Sequence, residues 1–164
     1  MPDTVTLLVG TTKGLFLLRQ TGSGRSVSGP HCDGWPINHA IGDGAGRVWA
    51  AGGGDFPGAG VWRSDDAGTC WTLSKLADGQ MDDWVRNDPD TAAALGMEPQ
   101  PPAPHSGTVE ALWSLARAGS RLYAGGKPGM LFVSENDGAT WSPVTGLTEH
   151  PSRDSWTPGA AGMT

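Results

Sequence analysis

The chain alternates short apolar runs with clusters of Gly, Asp, Ser and Thr. No three-to-four-residue apolar spacing persists far enough to predict a long helix, and 100–118 is the one stretch where a helix can be argued. The runs at 5–10 (VTLLVG), 14–19 (GLFLLR), 47–52 (RVWAAG), 60–64 (GVWRS), 121–125 (RLYAG) and 130–134 (MLFVS) have strand length and end at glycine or at polar turn residues. Weaker runs at 24–28, 39–43, 70–75, 110–116 and 140–144 complete a set of short strands. The pattern predicts an all-β, antiparallel protein.

The strands recur as a unit. Residues 64–71 (SDDAGTCW) and 134–141 (SENDGATW) both fit Ser-x-(Asp/Asn)-x-Gly-x-x-Trp, and each follows an apolar pair, Val61–Trp62 and Leu131–Phe132. RVWAAGG (47–53) and RLYAGGKPG (121–129) precede the two copies, and TLLVGTTKGLFLL (6–18) is a third relative with Leu18 at the Ser position. Internal repetition of this kind sets the architecture.

The motif has a physical reading as a clamped turn. Asp66 and Asn136 are placed to accept hydrogen bonds from backbone N–H groups shortly downstream. Gly68 and Gly138 supply a positive φ, and Ser64 and Ser134 tie the turn to the incoming strand. Trp71 and Trp141 then cover the hairpin with a large ring.

The repeated pattern resembles the Asp-box, or bacterial neuraminidase (BNR) repeat, of the sialidase-like β-propellers. The wider unit LYAGGKPGMLFVSENDGATW is similar to repeats of exo-α-sialidase-like and WD40/YVTN/BNR-like proteins. VSGPHCDGW (27–35), Trp113 and SRDSWTPGAAGM (152–163) extend the likeness, which spans nearly all of the chain except 77–104 and looks like the N-terminal half of a longer protein. The resemblance implies a β-propeller of four-stranded antiparallel blades, of which about three are present, an incomplete ring. Blade one covers 1–35, blade two 36–76, an inter-blade loop 77–107, blade three 108–150 and a tail 151–164. In this arrangement blade one lacks its innermost strand, and the open edges invite self-association.

Composition narrows the partners. The net charge is −6 with no basic cluster, which argues against nucleic acid and against an anionic membrane surface. No transmembrane run or signal-peptide pattern occurs, so a cytoplasmic location is expected. Cys32 and Cys70 form no metal-ligand spacing, and Cys70 reads as a small packed residue. The spacing of His31 and His39 matches no zinc pattern; no metal and no cofactor is expected. The GAGR, AGGG and AGGK runs (44–47, 51–54, 124–127) precede no helix and read as strand-turn glycines rather than a phosphate cradle.

Placed on the propeller, the inter-blade connections lie opposite the clamped turns. They and the adjoining strand starts bring His31, Trp35, His39, Trp84, Arg86, His105, Trp113, His150, Arg153 and Trp156 to one binding face, with 77–107 as a lid-like loop. Asp82, Asp83, Glu110 and Asp154 are the candidate carboxylates for glycoside hydrolysis. Sialidase chemistry, which the resemblance raises, needs an Arg cluster and a Tyr nucleophile. The one tyrosine, Tyr123, lies mid-strand and reads as core, and Arg47 and Arg121 read as repeat-equivalent turn residues. The expected function is a non-catalytic binding or assembly scaffold for a protein segment or glycan. The alternative is a sialidase-type or carboxylate-based glycoside hydrolase whose site is completed by missing blades or a partner chain.

Overall fold

A computed structural model describes residues 5–22 and 24–157. The strands form three antiparallel sheets, each a simple meander. The first holds β1 (Val5–Thr11), β2 (Gly14–Thr21) and β3 (Gly24–His31). The second holds β4 (Ile37–Gly42), β5 (Val48–Gly54), β6 (Gly58–Ser64) and β7 (Thr72–Ala77), and the third holds β8 (Ala111–Ala118), β9 (Arg121–Lys127), β10 (Met130–Ser134) and β11 (Ser142–Pro143). The predicted strands fall within a few residues of these, and the first sheet has three strands where the others have four.

Helix does form, but not where the sequence suggested. Residues 111–118 are strand β8, whereas α1 (Gln80–Asn87) and α2 (Pro89–Ala94) lie inside the predicted loop. Local capping explains both. Asp82 accepts from the Gly79 N–H at 2.8 Å, and the first turn of α1 carries Asp82 and Asp83 where the helix dipole favours anions. Pro89 opens α2 in the first turn, where a missing N–H costs nothing, and the Asp88 side chain accepts from Thr91. A four-residue helix, α3 (Thr145–Thr148), and a short 3₁₀ turn (Arg153–Ser155) follow the last sheet.

Alternation along the strands gives each sheet two apolar faces. Leu8, Leu15 and Leu17 of the first sheet pack against Ala40, Val48, Ala50 and Trp62 of the second. On its other side the second sheet offers Ile41, Trp49, Ala51 and Val61 to Leu115, Leu122, Ala124 and Phe132 of the third. Burying such side chains is the main favourable term, about 1.5–3 kcal/mol each before entropy.

The clamped turns form as the motif requires. Ser64 Oγ accepts from the Gly68 N–H at 2.8 Å and donates to Asp66 Oδ1 at 2.8 Å. Asp66 Oδ1 also accepts from the N–H groups of Thr69 and Cys70, and the Trp71 indole donates to the Gly68 carbonyl. The second copy repeats these bonds: Ser134 Oγ to Gly138 and Asn136, Asn136 Oδ1 to Thr140, and Trp141 to Gly138. Both serines are buried. Cys70 is not the packed residue expected from the sequence. It is exposed, because it holds the outward position that Thr140 fills in the second copy.

Each clamped turn also seats on the preceding sheet. The Ala67 carbonyl accepts from Arg19 of β2, while the Ala67 N–H is held within its own sheet by the Gly46 carbonyl of the β4–β5 turn at 2.8 Å. In the next unit the Asp137 carbonyl accepts from the Trp49 indole at 2.8 Å and from Arg63 at 3.3 Å, while its carboxylate meets Arg47 at 2.9 Å. Ala67 and Asp137 both have a φ of 57°, which turns these carbonyls toward the neighbouring sheet.

Gly68 is needed twice over. Its φ is +88°, and a Cβ there would run into the Leu17 side chain of the first sheet. Gly44, with φ +75°, has nothing within 4 Å of such a Cβ. Gly44→Ala is therefore expected to cost about 1 kcal/mol from backbone strain alone. Gly68→Ala adds the clash and is expected to cost about 2–4 kcal/mol. Urea midpoints of the two variants check the difference.

Backbone and Ser64 hydrogen bonds pull the Asp66 carboxyl from its ordinary 3.8 down to about 2. Because the folded value lies below the unfolded one, the stabilisation by Asp66 is complete above the ordinary carboxylate range and is lost as pH falls toward 2. Asp66→Asn, which copies Asn136, is expected to flatten stability between those limits, as read from urea midpoints taken across that acid range.

Candidate functional site

The connections between sheets are organised by the ends of the strands they join. The β5–β6 hairpin tip (55–57) supplies the carbonyls that α1 lacks: the Gln80 N–H donates to Asp55 at 2.8 Å and the Met81 N–H to Phe56 at 3.0 Å. This contact requires glycine at 79, because a Cβ there would strike the Gly58 N–H and the Phe56 carbonyl. Asp78 ties down the rest of the segment. Its carboxylate accepts from Arg86 at 3.0 Å and from the Ala103 N–H, and its own N–H donates to Ser106 Oγ. The His105 N–H donates to the Leu76 carbonyl of β7. The long connection is thus anchored to β7 and to the β5–β6 tip.

Between that tip, α1 and the Cys32–Ile37 connection lies a cleft of about 370 Å³. Trp35, Pro36, Phe56, Pro57 and Met81 give it apolar walls, and Thr12, Asp33 and Lys75 bring polar groups to it. Trp35 stands edge-on to Trp62, with centroids 5.8 Å apart, so buried packing holds its ring in place. Lys75 lies 5.7 Å from the Trp35 ring and forms an ion pair with Asp82 of α1. Phe56, on the hairpin tip, is 57% exposed. A larger cleft of about 480 Å³ lies between the first two sheets on the clamped-turn side. Its arginines are already committed, Arg47 to Asp43 and Asp137 and Arg19 to the Ala67 carbonyl, so it reads as part of the sheet junction.

The residues expected on one binding face have these surroundings. Trp35 lines the cleft, whereas the histidines have separate structural partners. His31 sits against Trp71 and Ser28, and His39 Nδ1 accepts from the Leu115 N–H at 2.9 Å, bridging β4 to β8. His105 lies over Phe132 within hydrogen-bonding reach of the Trp141 carbonyl, and His150 pairs with Ser152. Among the described residues no group of three or more His, Cys, Asp or Glu could hold a metal ion. Trp84 is half-buried on α1, and Arg86 is spent on Asp78 and Asp83. Trp113 is exposed at the bulge of β8. Arg153 donates to the Thr148 carbonyl and Trp156 to Ser152, a separate cluster after α3.

The candidate carboxylates have these partners. Asp82 serves Gly79 and Lys75, Asp83 pairs with Arg86, Glu110 pairs with Lys127 at 2.9 Å, and Asp154 is exposed in the 3₁₀ turn. Tyr123 is half-buried rather than fully in the core, on the outer face of the third sheet. Trp35 is the one lining residue of the cleft that sequence reasoning named; Phe56, Lys75 and Met81 are among those it missed. The only available signal was the five-residue GDFPG hairpin (54–58), an aromatic held in a turn beside glycines. No helix among the described residues is long and apolar enough to cross a membrane. A scan against protein-family models matches no family, and a search of the curated proteins finds no relative.

Asp82 holds both the α1 cap and the wall of the cleft. Asp82→Asn keeps an acceptor for the Gly79 N–H and is expected to lose under about 1 kcal/mol. Asp82→Ala removes the cap as well and is expected to lose about 1–2 kcal/mol, with faster amide exchange confined to 80–87. Hydrogen exchange by mass spectrometry checks both.

Proposed function

We propose that this chain is a partial Asp-box β-propeller of the sialidase-like kind, acting as a non-catalytic binding scaffold whose cleft takes a protein segment with an apolar anchor residue. The cleft carries the reading. Trp35 is fixed from behind by Trp62, Phe56 stands exposed on a hairpin tip, and two prolines and Met81 complete an apolar wall. Rigid aromatic groups beside a hydrogen-bonding rim are the usual anchors of recognition sites, because they bury area at little cost in side-chain entropy. Lys75, Asp33 and Thr12 supply the polar rim.

The propeller part of the reading is supported by the serial meanders, the two clamped turns in register and the shared order of inner to outer strands. The scaffold part is supported by the carboxylates, each of which has its own structural partner or stands alone. Fold by itself assigns no chemistry.

The test is selection from a displayed peptide library against the purified chain, beside a glycan array. Peptides carrying an apolar anchor are expected to bind, and Trp35→Ala and Phe56→Ala are expected to weaken them about tenfold or more. Selected peptides that bind both variants as well as the unaltered chain, or ligands confined to the glycan array, would overturn the reading.

A further inference from the structure

Two charged side chains line the cleft between the β5–β6 tip and α1, Asp33 and Lys75. Lys75 is committed twice. Its ammonium pairs with Asp82 of α1 and stands 5.7 Å from the centre of the Trp35 ring. Asp33 is exposed and, among the described residues, pairs with no cation. Three further charged residues flank lining positions in the chain. Asp82 is the partner of Lys75, and Lys13 and Asp55 are exposed and opposite in sign, so they offset each other. The charge left over at the cleft is negative and belongs to Asp33.

That carboxylate is held in place beside the aromatic wall. The Trp35 N–H donates to the Cys32 carbonyl at 2.9 Å and closes a turn. Its two central residues, Asp33 and Gly34, have φ of 49° and 76°, the signs of a type I′ turn. The Trp35 ring that follows is backed by Trp62. One short segment thus presents an anion and an aromatic face in fixed relation, which lowers the ordering cost of binding.

A carboxylate at the edge of an apolar wall discriminates by sign. The low-dielectric wall strengthens its attraction for a cation and its repulsion of an anion. Lysine and arginine suit such an edge because their apolar stems lie along the wall while the charged head reaches the carboxylate. The net charge of −6 favours the approach of the same partners. We infer that the protein segment taken by this cleft carries a lysine or arginine next to its apolar anchor, the anchor entering the cleft and the cation meeting Asp33. This deepens the cleft reading and rests on it.

Fluorescence polarisation on the whole chain tests the inference. The probes are short labelled peptides that share one Leu-Trp anchor and differ in its two flanking residues, both Arg, both Gln or both Glu. The Arg peptide is expected to bind about fivefold more tightly than the Gln peptide, and the Glu peptide most weakly. Raising the salt concentration is expected to narrow the gap between Arg and Gln peptides. Asp33→Asn keeps a residue that accepts a left-handed φ and is expected to bring the Arg peptide to the level of the Gln peptide. Glu149→Gln makes the same change in net charge outside the cleft and is expected to leave the order and the gaps intact. Equal binding of the three peptides, a preference for the Glu peptide, a gap that salt does not narrow, or an Arg preference that survives Asp33→Asn would overturn the inference. In those cases peptides that Trp35→Ala still releases leave the cleft reading standing, whereas binding by none of the three overturns both.

Discussion

A single buried serine hydroxyl in each complete repeat carries the constraint on which the rest depends. Ser64 and Ser134 sit at the end of a third strand, where a hydroxyl would cost more than it returns if left unpaired. Each is satisfied in both directions, accepting from the glycine N–H four residues on and donating to the Asp or Asn two residues on. The turn is thereby closed tightly enough that its backbone, rather than a side chain, reaches the preceding sheet. Ala67 and Asp137 point their carbonyls outward into Arg19 in one case and Trp49 and Arg63 in the other. A local clamp becomes a tertiary joint, and the same bonds that end a strand fix the distance to its neighbour sheet.

This coupling explains what was legible in the sequence. Strand positions follow from apolar alternation and from the spacing of the Ser, Gly and Trp of the motif, all local features. That the first sheet has three described strands where the others have four could be read because Val5 already aligns with the second strand of the other units. What failed was decided elsewhere in the chain. Helix α1 needs the carbonyls of Asp55 and Phe56, some two dozen residues upstream, and its short length leaves no periodicity to detect. The Pro and Asp content of 77–107 suggested a loop, although Pro89 and Asp88 together start a helix. Cys70 looked packed because it sits inside a motif whose other members are buried.

The candidate site was less legible for the same reason. Its loop position marks Trp35, which lines a cleft, but the partners that make it one come from a hairpin tip, a fourth strand and a helix. Topology sends the loops that carry the histidines to one end of the sheets. Their rings then follow local bonding: His39 replaces a missing strand bond to Leu115, and His105 packs on Phe132. Topology limits which end of a sheet a residue can occupy and leaves its side-chain partner undetermined.

The glycines show how the scaffold reaches the cleft. A Cβ at Gly52 would strike the Pro36 carbonyl, one at Gly53 the Gly58 carbonyl, and one at Gly58 the Ala77 carbonyl. These glycines therefore let backbones touch where neighbouring strands and connections converge. Close contact at Gly52 draws the Trp35–Pro36 segment onto the second sheet. Contact among Gly58, Gly79 and the hairpin carbonyls places α1 against the same edge. The walls of the cleft are held by main-chain contacts on both sides, so the half-buried Trp35 and the exposed Phe56 stay apart without collapsing onto each other. The glycine run at 51–54 is a packing device, and the aromatic cleft is its consequence.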